Sequence, residues 1–400
     1  MAPQQVPWHP TLSLPLFAGL AFVCLVGLVV LYTVFSPGFS LPAPTGSYQV
    51  GTQTRHLVDA SRRDPHSDDR NKPRELVIQI WYPIDRGSRG TVAPYRDRRG
   101  LTGDAARLAV VSTHSLIGAP LSRSQTQFPL LLYSPGWDGA RTENTFQAEE
   151  LASHGYIVAA MDHPYGSEVT VFPDGRVVYS KLVLGNPFSS QAAEESFVRT
   201  VEAEVRLRAN DASFLLDELA RLNADDPDGL LTGRIDLDHV GIFGFSLGGA
   251  VAAQACWLDQ RFKAGVDMDG LLAAESERDG PRVPFLFLLE EAAGPIHGDA
   301  NSAERREMEF DKRQVSRMRQ LAKSDAYVKR LDGMGHSNFT DRPFYAPWPG
   351  PVHTYGERLL ERIRFWPSRR RAEKAARIIN RHLLKFFDEH LQAVRPTPPA

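Results

Sequence analysis

The sequence predicts an α/β fold, a mostly parallel central sheet covered by helices on both faces and preceded by one apolar N-terminal segment. Two observations carry this expectation. From Phe128 onward, short apolar runs bounded by Gly, Pro and Asp alternate with amphipathic stretches of helical period, which is the pattern of β-α-β units. Ahead of them, residues 14–35 carry no charge, and at about 1.5 Å per residue they are long enough to cross a hydrocarbon core of about 30 Å. A composition of 42% hydrophobic and 24% charged residues over 400 residues supplies a full core and excludes a disordered or fibrous chain.

Residues 1–13 form a short tail without Lys or Arg. Residues 14–35 exceed the usual apolar core of a cleaved signal peptide, so a transmembrane signal-anchor is expected, with Ser36-Pro37-Gly38 leaving cleavage as the alternative. The protein is then expected to be single-pass and membrane-anchored with an extracytoplasmic catalytic domain, or secreted if the segment is removed. "SPGFSLPAPTG" (36–46) reads as a linker, and 47–395 as one catalytic domain. Residues 47–58 and 75–83 are β-rich and flank a charged loop. The polar stretch 84–127 shows one helical pattern near 104–112. Next come a strand in "FPLLLYSPG", a helix in "RTENTFQAEELASHG", a strand in "YIVAAMDHP" and a hairpin around Pro173-Asp174-Gly175. A long helix over 191–222 precedes the strand "DHVGIFGFS" and the helix "LGGAVAAQACWL". Strands in "FKAGVDMDG" and "VPFLFLLEE", a helix over 303–323, a strand in "AYVKRLDG" and a helix from Pro367 complete the chain.

The formal charge of −2 argues against a nucleic-acid partner, whose binding would rest on neutralised phosphates. The two cysteines, Cys24 and Cys256, imply neither a disulfide framework nor a thiolate metal cluster. No metal or nucleotide motif appears, so no cofactor is implied.

Gly244-Phe245-Ser246-Leu247-Gly248 satisfies G-x-S-x-G between an apolar strand and a small-residue helix. In that setting the serine sits on a sharp turn with its hydroxyl exposed, and the glycines avoid clashes that a Cβ would make. The same tetrapeptide GFSL at 38–41 has Pro42 in place of the second glycine and no strand before it. Ser246 is therefore the candidate nucleophile. A serine hydroxyl needs a base within hydrogen-bond reach and an acid to orient that base, and in α/β-hydrolases the chain order is Ser, acid, His. Of the histidines that follow, His382 and His390 belong to the terminal helix and read as surface residues. His297 precedes the last strand, and His353 follows a Pro-Gly-Pro turn. His336, in a Gly-containing loop just after the last strand, is the favoured base. For the acid, Asp269 ends the strand after the nucleophile's helix, Asp267 lies deeper in it, and Glu290 or Glu291 end the next strand. Spacing leaves these open.

The segments "GIFGFSLGGAVAAQACWLDQRFKAGVDMDG", "LLLYSPGWDGARTEN" and "GMGHSNFTD", in that relation, resemble the plasma-type platelet-activating-factor acetylhydrolase family. The resemblance implies an α/β-hydrolase fold and a calcium-independent serine lipase acting on short-acyl or oxidised phospholipid esters. It places the acid at Asp269 and the base at His336, and an oxyanion hole at the backbone N–H groups of Leu247 and Trp137. There are two departures, Pro135-Gly136 where the family has His-Gly and Phe245 where His is common, and Pro135-Gly136 with the bulky Trp137 resembles the corresponding turn of polyester-cleaving cutinases. They make a general carboxylesterase without phospholipid preference the alternative. A non-catalytic α/β-hydrolase-fold binding protein is the alternative of another class. The expected partners are a small-molecule or lipid ester and, through the N-terminal segment, a membrane.

Phe339, Phe344, Tyr345 and Trp348 after His336 suggest an apolar acyl wall or ordinary loop packing. Asn338-Phe339-Thr340 is a glycosylation sequon whose use would obstruct the base. Arg369, Arg370, Arg371, Lys374 and Arg377 give the last helix a basic face, read as solvated, with contact to anionic headgroups as the other reading.

Overall fold

The computed structural model describes residues 27, 40–97, 99, 111–291, 301–322, 326–345 and 369–391. The anchor expected at 14–35 lies outside the described residues except for Gly27, as do Cys24, His297, Trp348 and His353. Among the described residues no helix is long and apolar enough to cross a membrane.

The strands are β1 (Gln49–Arg63), β2 (Pro73–Ile84), β3 (Val92–Pro94), β4 (Ser112–Ile117), β5 (Phe128–Ser134), β6 (Ile157–Asp162), β7 (Val169–Val171), β8 (Val177–Tyr179), β9 (Ile235–Phe245), β10 (Phe262–Met268), β11 (Phe285–Leu289) and β12 (Ala326–Arg330). The helices are α1 (Thr145–Ser153), α2 (Gln191–Ala224), α3 (Leu247–Leu258), α4 (Ala274–Asp279), α5 (Ser302–Leu321), α6 (Arg342–Tyr345) and α7 (Arg369–Leu391). A 10-stranded sheet runs β12-β11-β10-β9-β5-β6-β2-β1-β4-β3. From β12 to β6 all neighbours are parallel, while β2 joins antiparallel to β6 and to β1. This is an α/β fold with a mostly parallel sheet.

Successive residues of one strand serve opposite faces. Leu130 and Leu132 of β5, with Val240 and Ile242 of β9, face α2, α3 and α5 through Ala212, Leu216, Ala252 and Met318. Leu131 and Tyr133, with Phe243 and Phe245, face α1 and α7 through Leu151, Ile379, Leu383 and Phe387. Burial on both faces is why these strands read as unbroken apolar runs, and each fully buried Leu contributes about 1.5–3 kcal/mol.

Three expectations are corrected. The polar stretch after Ile84 contributes two strands, with β4 beginning at the end of the stretch read as a helix; residues 101–110 of that stretch lie outside the described residues. The segment read as linker is tied to the body from Ser40 on: Leu41 is buried, its N–H donates to the Ser112 carbonyl, and the Thr45 N–H donates to Glu150. Of the two readings for the aromatic residues after His336, Phe339 and Phe344 follow ordinary packing: both are core residues, Phe344 meeting the Phe146 ring at 5.7 Å. His382 and His390 are half-buried, His390 lying 4.6 Å from the Phe386 ring. The basic residues of α7 do face outward, and Arg369 donates to the Ser40 hydroxyl at 2.8 Å. Asn338 is buried and accepts from the Gly335 N–H, which leaves no room for a glycan.

Candidate active site

Strand β9 ends at Phe245 and α3 starts at Leu247, so Ser246 alone makes the reversal, at φ 54° and ψ −122°. A non-glycine residue there stores about 1–3 kcal/mol of backbone strain, which the surrounding contacts must hold. The Ser246 N–H donates to the Met268 carbonyl at 2.9 Å, tying the turn to the end of β10. The glycines are needed for close approach: a Cβ on Gly248 would lie 2.0 Å from the Ser134 carbonyl oxygen, and one on Gly244 2.0 Å from that of Gly248. Ser246 is the one residue of 241–250 that is not buried.

Asp269 follows β10 directly, at φ 59°. Its N–H donates to the Leu288 carbonyl at 2.7 Å, and its Oδ1 accepts from the Glu290 N–H at 2.7 Å. Oδ2 lies 2.6 Å from His336 Nδ1. An ionised carboxylate only accepts, so Nδ1 carries the proton and Nε2 is left as an acceptor. The His336 ring stacks 4.5 Å from the ring of Phe245, the residue before the serine. The structure thus brings Ser246, Asp269 and His336 to one corner of the sheet. Glu290 contributes its backbone N–H to Asp269, and the Glu291 carboxylate accepts instead from Gly333 N–H at 3.0 Å. The loop bearing His336 is fastened to α1: Asn144 and Gln147 both donate to the Phe339 carbonyl, and the buried Asp341 accepts from the Thr145 and Phe146 N–H groups.

The turn after β5 completes the site. A Cβ on Gly136 would lie 3.3 Å from that of Ser246 and 3.2 Å from the Phe245 ring. Trp137 packs with Leu247 and Val201 in one apolar cluster. Leu247 opens α3, where backbone N–H groups and the helix dipole favour developing negative charge.

Several polar residues that spacing gives no means of finding lie behind this turn. Ser134 Oγ is 3.1 Å from His163 Nε2, and His163 Nδ1 is 2.8 Å from Asp211 Oδ2. This second Ser-His-Asp arrangement is entirely buried. Burial lowers the His163 pKa to about 4, so the ring is neutral. Burial alone would raise the Asp211 carboxyl, but Arg74 and His163 hold it well below the usual range. Glu143, half-buried, accepts from Gly136 N–H at 2.7 Å and from the Tyr133 hydroxyl at 2.9 Å.

Asp267 is fully buried beneath Asp269. Its Oδ1 accepts from Gly270 N–H at 2.7 Å, while Oδ2 has no hydrogen-bond partner among the described residues. Burial pushes its pKa well above the ordinary carboxylate value, with the Asp269 charge adding to the effect. The folded state therefore holds a proton that the unfolded chain releases near pH 4, and stability falls as pH rises from there toward the folded-state pKa. The Asp267→Asn protein is expected to lose less unfolding free energy between pH 5 and pH 8 than the wild type, measured by urea titration at both pH values. Parallel losses in the two proteins would show that Asp267 does not set this slope.

Among the described residues no group of His, Cys, Asp and Glu is arranged to hold a metal ion. The family profile described as "Platelet-activating factor acetylhydrolase, isoform II" matches residues 33–395. Bovine platelet-activating factor acetylhydrolase is 30% identical over 274 residues, 61% of this chain and 58% of that protein. The dog protein of the same name is 27% identical over 273 residues, with the same coverage. A "Probable 1-alkyl-2-acetylglycerophosphocholine esterase" of Arthroderma benhamiae is 25% identical over 264 residues, 60% of this chain and 62% of that protein. The matched part therefore spans about three-fifths of these relatives. The structure of a ferulic acid esterase from Streptomyces cinnamoneus superposes with a TM-score of 0.69 at 30% identity, covering 90% of this chain and 95% of that one.

Proposed function

Because the chain belongs to the platelet-activating factor acetylhydrolase isoform II family, we propose that it is a serine carboxylic-ester hydrolase acting through Ser246, His336 and Asp269. The observation that carries this reading is the 2.6 Å contact of His336 Nδ1 with Asp269, made by a ring 4.5 Å from that of Phe245, the residue before the strained, half-exposed Ser246.

In this mechanism His336 Nε2 takes the Ser246 hydroxyl proton as Oγ adds to the ester carbonyl carbon. Asp269 keeps the imidazole in the required tautomer and offsets the charge that develops on it. The carbonyl oxygen, now an alkoxide, accepts from the N–H groups of Leu247 and Trp137. Such donors are worth several kcal/mol because they are oriented before the charge appears. His336 then returns the proton to the leaving alcohol. A water, deprotonated by the same ring, hydrolyses the acyl-enzyme and restores Ser246.

We read the acyl group as short and the substrate as a phospholipid ester of the kind named for the relatives. A small cleft walled by Phe197, Val201, Leu271 and Phe310 adjoins the apolar cluster of Leu247 and Trp137, and we assign the short acyl chain to it. The Pro135-Gly136-Trp137 turn, with the likeness to a ferulic acid esterase, favours a second reading: an ester hydrolase that ignores the phosphate headgroup. Residues 14–35 we read as a membrane tether holding this domain on the extracytoplasmic side.

A substrate series tests these readings. Acetyl esters are expected to turn over at least about tenfold faster than octanoyl esters, since one or two misfit methylenes already discriminate to that extent. A 2-acetyl phosphatidylcholine is expected to match or exceed p-nitrophenyl acetate in kcat/KM. Methyl ferulate cleaved in preference to the acetyl phospholipid would decide for the second reading. The same assay on carbonate-washed membranes tests the tether, and activity found only in the soluble fraction would remove it.

A further inference from the structure

The polar atoms of Gly136 are held from two sides. Its N–H is held by Glu143, and its carbonyl accepts from Arg208 Nη1 at 3.1 Å and from Gly139 N–H at 3.1 Å. Arg208 projects from α2 and has no exposed side-chain surface. Its Nη2 donates to the Gly166 carbonyl at 3.0 Å, and its nearest carboxylate is Glu204 at 3.4 Å, already engaged by His66 at 2.6 Å. A buried guanidinium with so loose an ion pair is costly, and an apolar side chain would fill the space at lower cost. The two carbonyls it joins belong to the turns after β5 and β6, and the first is bonded to the nitrogen of Trp137.

We propose that Arg208 is a positioning residue for the oxyanion hole, acting through the Gly136–Trp137 peptide. The inference rests on the serine-hydrolase reading above, in which the Trp137 N–H is one of the two donors. No cis peptide occurs among the described residues, so that peptide is a planar trans unit whose C=O and N–H point in opposite directions. Holding the carbonyl toward α2 turns the N–H away from α2. A charged donor on the oxygen also polarises the amide and strengthens its N–H as a donor. Pro135 stiffens the turn, and His163 restrains Ser134 on its other side. The peptide is then oriented before substrate arrives, as a donor aimed at a developing charge must be.

The test uses the full chain with Arg208→Lys and Arg208→Gln. Active sites are counted by fluorophosphonate titration, and kcat and KM are measured with p-nitrophenyl acetate. A trifluoromethyl ketone, which adds the serine oxygen to its carbonyl carbon and leaves an oxyanion, reports on the hole itself. Per titrated site, kcat is expected to fall about tenfold in Arg208→Lys and up to about 100-fold in Arg208→Gln, with KM changed less than about threefold. Inhibition by the ketone should weaken in proportion to kcat/KM. A merely structural brace would lower the melting temperature and the titratable fraction, yet leave wild-type kcat per site, and that result in either variant overturns the proposal. Should Arg208→Gln fail to fold, Arg208→Lys decides, because one ammonium cannot span both carbonyls in the guanidinium plane. If the wild type itself takes no label, the serine reading has failed and this inference falls with it. If it is labelled while either variant keeps the wild-type kcat per site, the inference alone fails.

Discussion

Ser246→Ala is expected to lower kcat for p-nitrophenyl acetate by about 10⁵-fold or more, the scale on which a serine hydrolase loses rate with its nucleophile. What remains is the stabilisation that binding and the oxyanion donors give to direct attack by water. The change removes one oxygen from a half-exposed side chain, and among the described residues the fold rests on the Ser246 backbone rather than on its hydroxyl. The backbone keeps its bonds from Ser246 N–H to Met268 and from Gly249 N–H to the Ser246 carbonyl. The melting temperature should therefore stay close to that of the wild type, which separates lost chemistry from lost structure. The wild type should be labelled by a fluorophosphonate and Ser246→Ala should not. Labelling that survives the substitution would mean that another residue is the nucleophile. A folded wild type that takes no label would favour a binding protein built on a hydrolase fold.

Asp269→Asn is the second large effect, about 10⁴-fold in kcat. The oxygen of the substituted side chain can still accept from Glu290 N–H, but its amide nitrogen, facing His336, would donate to Nδ1. The proton is then forced onto Nε2, where it faces Ser246 and blocks the base. The fold is little affected, because the backbone bond to the Leu288 carbonyl is untouched and the side-chain oxygen still accepts from Glu290 N–H. Glu291→Gln provides the contrast. Its side-chain partner is the Gly333 N–H, which the Gln carbonyl oxygen can still engage, so kcat should stay within about threefold. The opposite ranking, with Glu291→Gln inactive and Asp269→Asn active, would move the acid to the neighbouring strand.

What the sequence disclosed follows from which interactions are local. Ser246 was legible because a strand, two glycines and a helix start lie within a few residues of it, and each leaves its own mark. The parallel strands were legible because burial on both faces leaves unbroken apolar runs. Strand β4, "STHSLI", was not: it lies beside the short strand β3 at the sheet's edge, carries polar residues, and bonds His114 and Ser115 to Glu149, a partner that spacing does not reveal. The choice among Asp267, Asp269, Glu290 and Glu291 stayed open for a related reason. It depends on loop geometry at the strand ends, where one residue supplies a carboxylate and its neighbour an N–H. Arg208, Glu143 and His163 left no trace, since each looks like an ordinary helix, turn or strand-end residue until the turns after β5 and β6 come together.

The buried Ser134, His163 and Asp211 give the molecule an internal control. A template built on the imidazole–carboxylate separation, 2.8 Å inside and 2.6 Å at the surface, would find both sets. Solvent access and backbone strain at the serine tell the two apart, not the histidine–carboxylate contact. The Ser246→Ala protein still contains the inner constellation, so its silence toward a covalent probe would show that burial keeps the inner serine out of reach. Modest denaturant that opens the sheet beside β5 would then reveal whether the inner serine has any reactivity of its own once water reaches it.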